Sequence, residues 1–153
     1  MLVARLADAP QDPLIPELVE HLLPWHGGTV GLLPAALWVS ERQLRRRCQA
    51  ATGLAPKALH IMLRFQGFLA VAQQALATGR LPGEDWLARL AVDLGYADQP
   101  HLNRECLRLT GLPARAFLGE AEYACACGHD HSASFAPILR SRRGPASLAT
   151  LAS

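Results

Sequence analysis

An internal repeat constrains this chain more than any other feature. Ser40-Glu-Arg-Gln-Leu-Arg-Arg-Arg-Cys-Gln-Ala-Ala-Thr-Gly-Leu-Ala-Pro-Lys-Ala-Leu59 aligns without gaps with Asp98-Gln-Pro-His-Leu-Asn-Arg-Glu-Cys-Leu-Arg-Leu-Thr-Gly-Leu-Pro-Ala-Arg-Ala-Phe117, at an offset of 58 residues. Seven of the 20 paired positions are identical: Leu44 with Leu102, Arg46 with Arg104, Cys48 with Cys106, Thr52 with Thr110, Gly53 with Gly111, Leu54 with Leu112 and Ala58 with Ala116. Ala, Leu and Arg are abundant here, but cysteine and a Thr-Gly-Leu run are not. One module is therefore built twice.

Each copy predicts a helix with defined ends. Ser40 and Asp98 are N-cap types, whose side-chain oxygens accept from the first free backbone N–H groups. Gly53 and Gly111 suit the left-handed position that stops a helix, and Pro56 and Pro113 follow. At 100° per residue, Leu44, Cys48 and Ala51 share an apolar arc, and Arg42, Arg45, Arg46 and Gln49 lie opposite. In the second copy Leu102, Cys106 and Leu109 form the apolar arc. Asn103 and Arg104 lie opposite, with Gln99 and Pro100 at the exposed first turn. Cys48 and Cys106 thus read as small core residues.

Ahead of the second copy, residues 86–96 place Leu87, Leu90, Ala91 and Leu94 on one face, and Gly95 allows a tight turn before Asp98. An apolar-faced helix, a glycine turn and a capped helix with a polar outer face make the helix-turn-helix pattern. The first copy follows residues 30–37, a poorer segment because Pro34 falls inside it. Between the copies, residues 56–78 predict one long helix with apolar Leu59, Leu63, Phe65, Leu69, Ala72 and Leu76. At 1.5 Å per residue it would run roughly 33 Å. A turn of B-DNA is about 34 Å, so such a helix can hold two reading heads at successive major-groove faces. Residues 12–23 predict a short helix with Leu14, Leu18, Val19 and Leu22 inward, packed on the first unit. The expected organisation is all-α: an extension over 1–27, two helix-turn-helix units joined by a long central helix over 28–119, and a largely disordered tail over 120–153.

Composition agrees with helices. Half of the 153 residues are hydrophobic and only 6% are aromatic, which excludes a wholly disordered chain and argues against a β-sandwich. No apolar run approaches the roughly 18 residues of a membrane span, and the first ten residues lack a secretory pattern. Four cysteines, unevenly placed, do not make a disulfide framework, so a reducing cytoplasm is expected. With no phosphate loop, nucleophile elbow or acid/base pair, no enzyme is expected.

The charge is local rather than global. From Ser40 to Arg64 stand six basic residues (Arg42, Arg45, Arg46, Arg47, Lys57, Arg64) against Glu41, in a chain of net +2. That asymmetry suits a phosphate-facing surface. Arginine can donate two hydrogen bonds to guanine O6 and N7, and Asn or Gln can pair with adenine N6 and N7.

The segment from about Val30 to Leu118 resembles the DNA-binding domain of AraC/XylS-type transcription regulators. The carrying motifs are Val39-Ser-Glu-Arg-Gln-Leu-Arg-Arg-Arg-Cys48 with Thr52-Gly-Leu-Ala-Pro56, the linker Leu63-Arg-Phe-Gln66, and Leu90-Ala-Val-Asp-Leu-Gly-Tyr-Ala-Asp-Gln-Pro-His-Leu-Asn-Arg104 with Leu109-Thr-Gly-Leu-Pro113. The resemblance implies a homeodomain-like fold of seven helices whose two second helices enter the major groove. Carried over by position, Arg42, Arg45 and Arg46 would meet bases in the first unit, and Gln99, Asn103 and Arg104 in the second. Pro100 stands where the family often has a polar reader, and Cys48 and Cys106 stand where it usually buries an aromatic. The resemblance also implies promoter or operator DNA and RNA polymerase as partners. The ligand-sensing domain that family members usually carry ahead of this one has no room here, so a stand-alone regulator or a shortened product is expected.

Other features invite other readings. Cys125, Cys127, His129 and His131 place four soft ligands at steps of two, a pattern a folded loop can close on zinc. A metal- or redox-responsive regulator using that tail is one alternative; a helical protein-interaction module without DNA binding is another. Trp25, Trp38 and Trp86 are expected in core or rim packing, and His101 is expected to be partly buried or to meet a phosphate.

Overall fold

A computed structural model describes residues 12–77 and 83–124. Among the described residues the chain is wholly helical, and it divides into two compact units, Met1–Met62 and Leu63–Ser153.

The first unit contains α1 (Leu14–Leu22), single 3-10 turns at Pro24–His26 and Val30–Leu32, α2 (Leu33–Ala36), α3 (Glu41–Thr52) and the opening turns of α4 (Pro56–Ala77). Helix α1 starts later than its pattern suggests. Asp12 stands outside it, and its Oδ1 accepts from the Leu14 N–H at 3.0 Å. Leu14, Leu18 and Leu22 recur every four residues and are buried, whereas Val19, expected inward, is only half-buried. The face they form packs against α3, where Leu44 and Cys48 are buried. Ala51, also expected on that arc, is exposed in the last turn of α3. Pro34 does not interrupt a helix over 30–37. It lies in the first turn of α2, where its missing N–H costs nothing, and Leu33 and Leu37 on either side are buried. Gly28 makes a close approach: a Cβ there would lie 1.9 Å from the His21 carbonyl oxygen.

The second unit contains the rest of α4, α5 (Glu84–Asp93), α6 (Gln99–Thr110) and α7 (Ala114–Ala124). Phe65, Phe68 and Phe117 form an aromatic cluster with ring centroids 5.9 to 6.4 Å apart. Such tilted pairs add to the area they bury. Leu87, Leu90, Ala91 and Leu94 are all buried, as their spacing predicts. They line the face of α5 and its following turn, and α5 packs on α6, which in turn packs on α7.

The identities shared by the two copies have a common physical cause. In α3 the Thr52 hydroxyl donates to the Cys48 carbonyl at 2.8 Å and accepts from the Leu54 N–H at 3.1 Å. In α6 the Thr110 hydroxyl donates to the Cys106 carbonyl at 2.8 Å and accepts from the Leu112 N–H at 3.2 Å. The glycine between them is left-handed in both copies, with φ 76° at Gly53 and 83° at Gly111. Threonine, glycine and leucine together satisfy backbone groups that a helix end would otherwise leave unpaired. Burial raises both thiol pKa values above the usual range, so Cys48 and Cys106 act as packing residues.

Candidate nucleic-acid interface

Helix α3 begins with a reciprocal cap. The Gln43 N–H donates to Ser40 Oγ at 3.2 Å, and the Ser40 N–H donates to Gln43 Oε1 at 3.0 Å. With Leu44 and Cys48 committed to the core, the opposite side presents Arg42, Arg46 and Gln49, all exposed. Arg45 is exposed on the flank. There it borders an open cleft of about 450 Å³ lined by Val30, Pro34, Leu44, Glu41 and Lys57 among others.

Two of the six basic residues counted from Ser40 to Arg64 are not free, which corrects that balance. Arg47 pairs with Asp12, its Nε donating to Oδ2 at 2.6 Å and its Nη2 bonding Oδ1. The hydrogen bonds from Arg47 hold the Asp12 carboxyl down at about 2. Arg64 is buried, and its Nη2 lies 2.8 Å from Glu105 Oε2. The exposed charge of this stretch is therefore carried by Arg42, Arg45, Arg46 and Lys57.

Helix α6 is capped by Asp98, whose carboxylate accepts from the His101 N–H at 2.7 Å. His101 is half-buried, its ring edge-on to Tyr96 at 5.3 Å and its Nδ1 accepting from the Ala97 N–H. Arg104 is exposed. Gln99 and Asn103 are half-buried, and Asn103 Oδ1 accepts from the Ala114 N–H at 3.1 Å, at the first residue of α7. The Asn103 side-chain carbonyl thus serves the fold. Pro100 is exposed in the first turn, as expected. Sequence reasoning missed the rest of this face: Leu107 and Arg108 are exposed beside Arg104. The signal was available: Leu107 and Arg108 fall at the offset of Gln49 and Ala50.

A buried polar lock sets α6 in place. Besides its bond to Glu105, Arg64 donates from Nη1 to the Gly95 carbonyl at 3.3 Å and lies over the Tyr96 ring at 4.5 Å from its centroid. The guanidinium thus ties α4 to the turn ahead of α6 and to α6 itself. Burial and the adjacent Glu105 push the Tyr96 phenol far above its ordinary range, so it stays neutral.

The turns ahead of the two helices differ. Gly95 turns in the left-handed region at φ 78°. In the first unit Trp38 is left-handed at φ 53° and 95% exposed. That corrects the expectation of packing: the main-chain turn throws the indole outward. Trp25 and Trp86 are half-buried rim residues.

Among the described residues no three His, Cys, Asp or Glu side chains come together as a metal site. Cys125, Cys127, His129 and His131 lie outside the described residues. Among the described residues no helix is long and apolar enough to cross a membrane.

A family model described as a helix-turn-helix domain matches residues 33–120, more than half of the chain. No curated protein and no solved structure gives a match. The matched span begins at α2 and closes within α7, enclosing both capped helices with their arginine-bearing faces. The chain belongs to the helix-turn-helix family of AraC/XylS-type, DNA-binding transcription regulators.

Proposed function

We propose that this regulator reads DNA sequence with both units, α3 and α6 each entering a major-groove segment of one duplex. One observation carries the reading. When the two helices are aligned by the repeat, Arg42, Arg46 and Gln49 of α3 and Pro100, Arg104 and Leu107 of α6 fall at matching places opposite each buried Leu–Cys pair, and all six are exposed. Recognition helices meet base edges with residues of their N-terminal part, and Arg42, Arg45, Arg46 and Arg104 lie within the first two turns of α3 and α6. Phosphate contacts, including those of Lys57, would set orientation, and the outer faces would discriminate bases.

Selection of bound duplexes from a random library, followed by titration at several salt concentrations, tests this. Arg46→Ala and Arg104→Ala should each weaken the selected site more than random DNA, with about 1–3 kcal/mol of discrimination lost per bidentate contact. Equal losses on selected and random DNA would reduce both residues to phosphate contacts and remove the two-helix reading.

A further inference from the structure

We infer that the second reading helix recognises thymine methyl groups, with Pro100 and Leu107 as the contacting residues. The inference rests on the proposed reading that α6 enters the major groove. At 100° per residue Pro100, Arg104 and Leu107 fall within about 60° of one another, and all three are exposed. Leu107 leaves 51% of its surface uncovered on a helix whose other side buries Leu102 and Cys106.

An apolar stripe on a DNA-reading face has one natural counterpart in the groove. The C5-methyl of thymine is the apolar feature that a base edge presents there, and side chains without hydrogen-bonding groups meet it by van der Waals contact. The surroundings fit a nucleic acid rather than an acidic or purely apolar partner. Arg104 and Arg108 flank the stripe in the open. Glu105, the carboxylate within α6, is turned inward onto Arg64, and the Asp98 carboxylate at its N-cap is engaged by the His101 N–H. Pro100 sits in the first turn, where a proline has no N–H to forfeit and where recognition helices come closest to bases. In the first unit the same two places hold Arg42 and Gln49, which can donate hydrogen bonds. The two helices therefore differ in the chemistry they read: hydrogen-bonding edges by α3, a methyl beside one arginine contact by α6.

The probe is the selected duplex with single thymines replaced by deoxyuridine, which deletes the methyl and leaves every hydrogen-bonding group. Positions read by α6 are those at which Arg104→Ala loses discrimination. Wild-type protein should bind roughly three- to fivefold more weakly when a thymine next to those positions becomes deoxyuridine, the worth of one buried methyl. The Pro100→Ala, Leu107→Ala double variant should bind thymine and deoxyuridine duplexes alike, with circular dichroism confirming its helices. Leu107→Gln, which copies the first unit, should likewise lose the methyl preference. Tight wild-type binding that ignores every thymine-to-deoxyuridine exchange overturns the inference and leaves the two-helix reading intact. A methyl effect that persists undiminished in the double variant overturns it too. Failure of the wild-type protein to select any duplex removes both.

Discussion

Residue 47 of α3 and residue 105 of α6 occupy the same register, yet one is arginine and the other glutamate. Each finds an opposite charge on another element. Arg47 meets Asp12 ahead of α1, where both side chains keep about a quarter to a third of their surface in solvent. Glu105 meets Arg64 of α4, with side chains 7% and 11% exposed. One tether lies in water and the other in the core, and their energetics should differ accordingly. A solvated pair gains little because water and salt screen it and its side chains lose freedom. A buried pair is a different device: its net contribution is small, but removing one partner strands the other charge.

The largest effect should come from stranding. Glu105→Ala leaves the Arg64 guanidinium buried without its carboxylate, and such losses run to roughly 3–5 kcal/mol. Urea unfolding should show it, and amide exchange should quicken in α5, α6 and α7 while α1 to α3 keep their protection. Replacing both partners by apolar residues, Arg64→Met with Glu105→Leu, should recover most of the stability. Equal exchange in both units after Glu105→Ala would show that the lock does not belong to the second unit alone.

The turns supply the next comparison. A left-handed step is taken by Gly95 in one unit and, one register place later, by Trp38 in the other. A residue with a Cβ held there is strained by about 1–2 kcal/mol, and glycine is not. Trp38 recovers nothing by packing, since 95% of it is exposed. Trp38→Gly should therefore raise the unfolding free energy by about 0.5–1 kcal/mol, the strain relief less the extra freedom glycine has when unfolded. Gly95→Ala should lower it by about 0.5–1 kcal/mol, the strain less the freedom that the unfolded chain loses with glycine. Thermal unfolding of the two variants, moving in opposite directions, checks both. A loss of stability in Trp38→Gly would mean that the indole holds the turn.

The contrast between the units also explains what could be read in the residue order. Caps, stops and core positions are local, and Ser40, Asp98, Gly53, Gly111 and the Leu–Cys pairs announce them within a turn or two of helix. The repeated Thr-Gly-Leu was visible as a pattern before its hydrogen bonds gave it a cause. Partners distant in sequence were not legible. Arg47 and Arg64 counted as free basic charge because Asp12 and Glu105 are 35 and 41 residues away. Asn103 passed as an open reader because its bond to the Ala114 N–H crosses a helix break. Trp38 was assigned to packing on residue type, whereas its φ decides where it points. Leu107 and Arg108 were not legible for a different reason: an apolar residue on the outer arc of a helix is not marked by its type as a contact residue.

The smallest effect isolates the solvated tether and gives it a pH signature. The Asp12 carboxyl ionises at about 2 in the folded chain, chiefly because Arg47 donates hydrogen bonds to it. An unfolded aspartate ionises near 3.9. As pH falls the unfolded chain takes up the proton first, so what the ionised Asp12 contributes is complete above about pH 4 and gone below about pH 2. Asp12→Asn keeps an oxygen for the Leu14 N–H and removes the charge together with the acceptor of the Arg47 Nε–H. The melting temperatures of the wild type and this variant should differ modestly at pH 6, converge as the pH drops from 4 to 2, and lie closer together at 1 M salt, where screening shortens to about 3 Å. A gap that survives unchanged at pH 2 would show that Asp12 acts through its place at the start of α1 rather than through Arg47. The two residues of matched register would then share no electrostatic role.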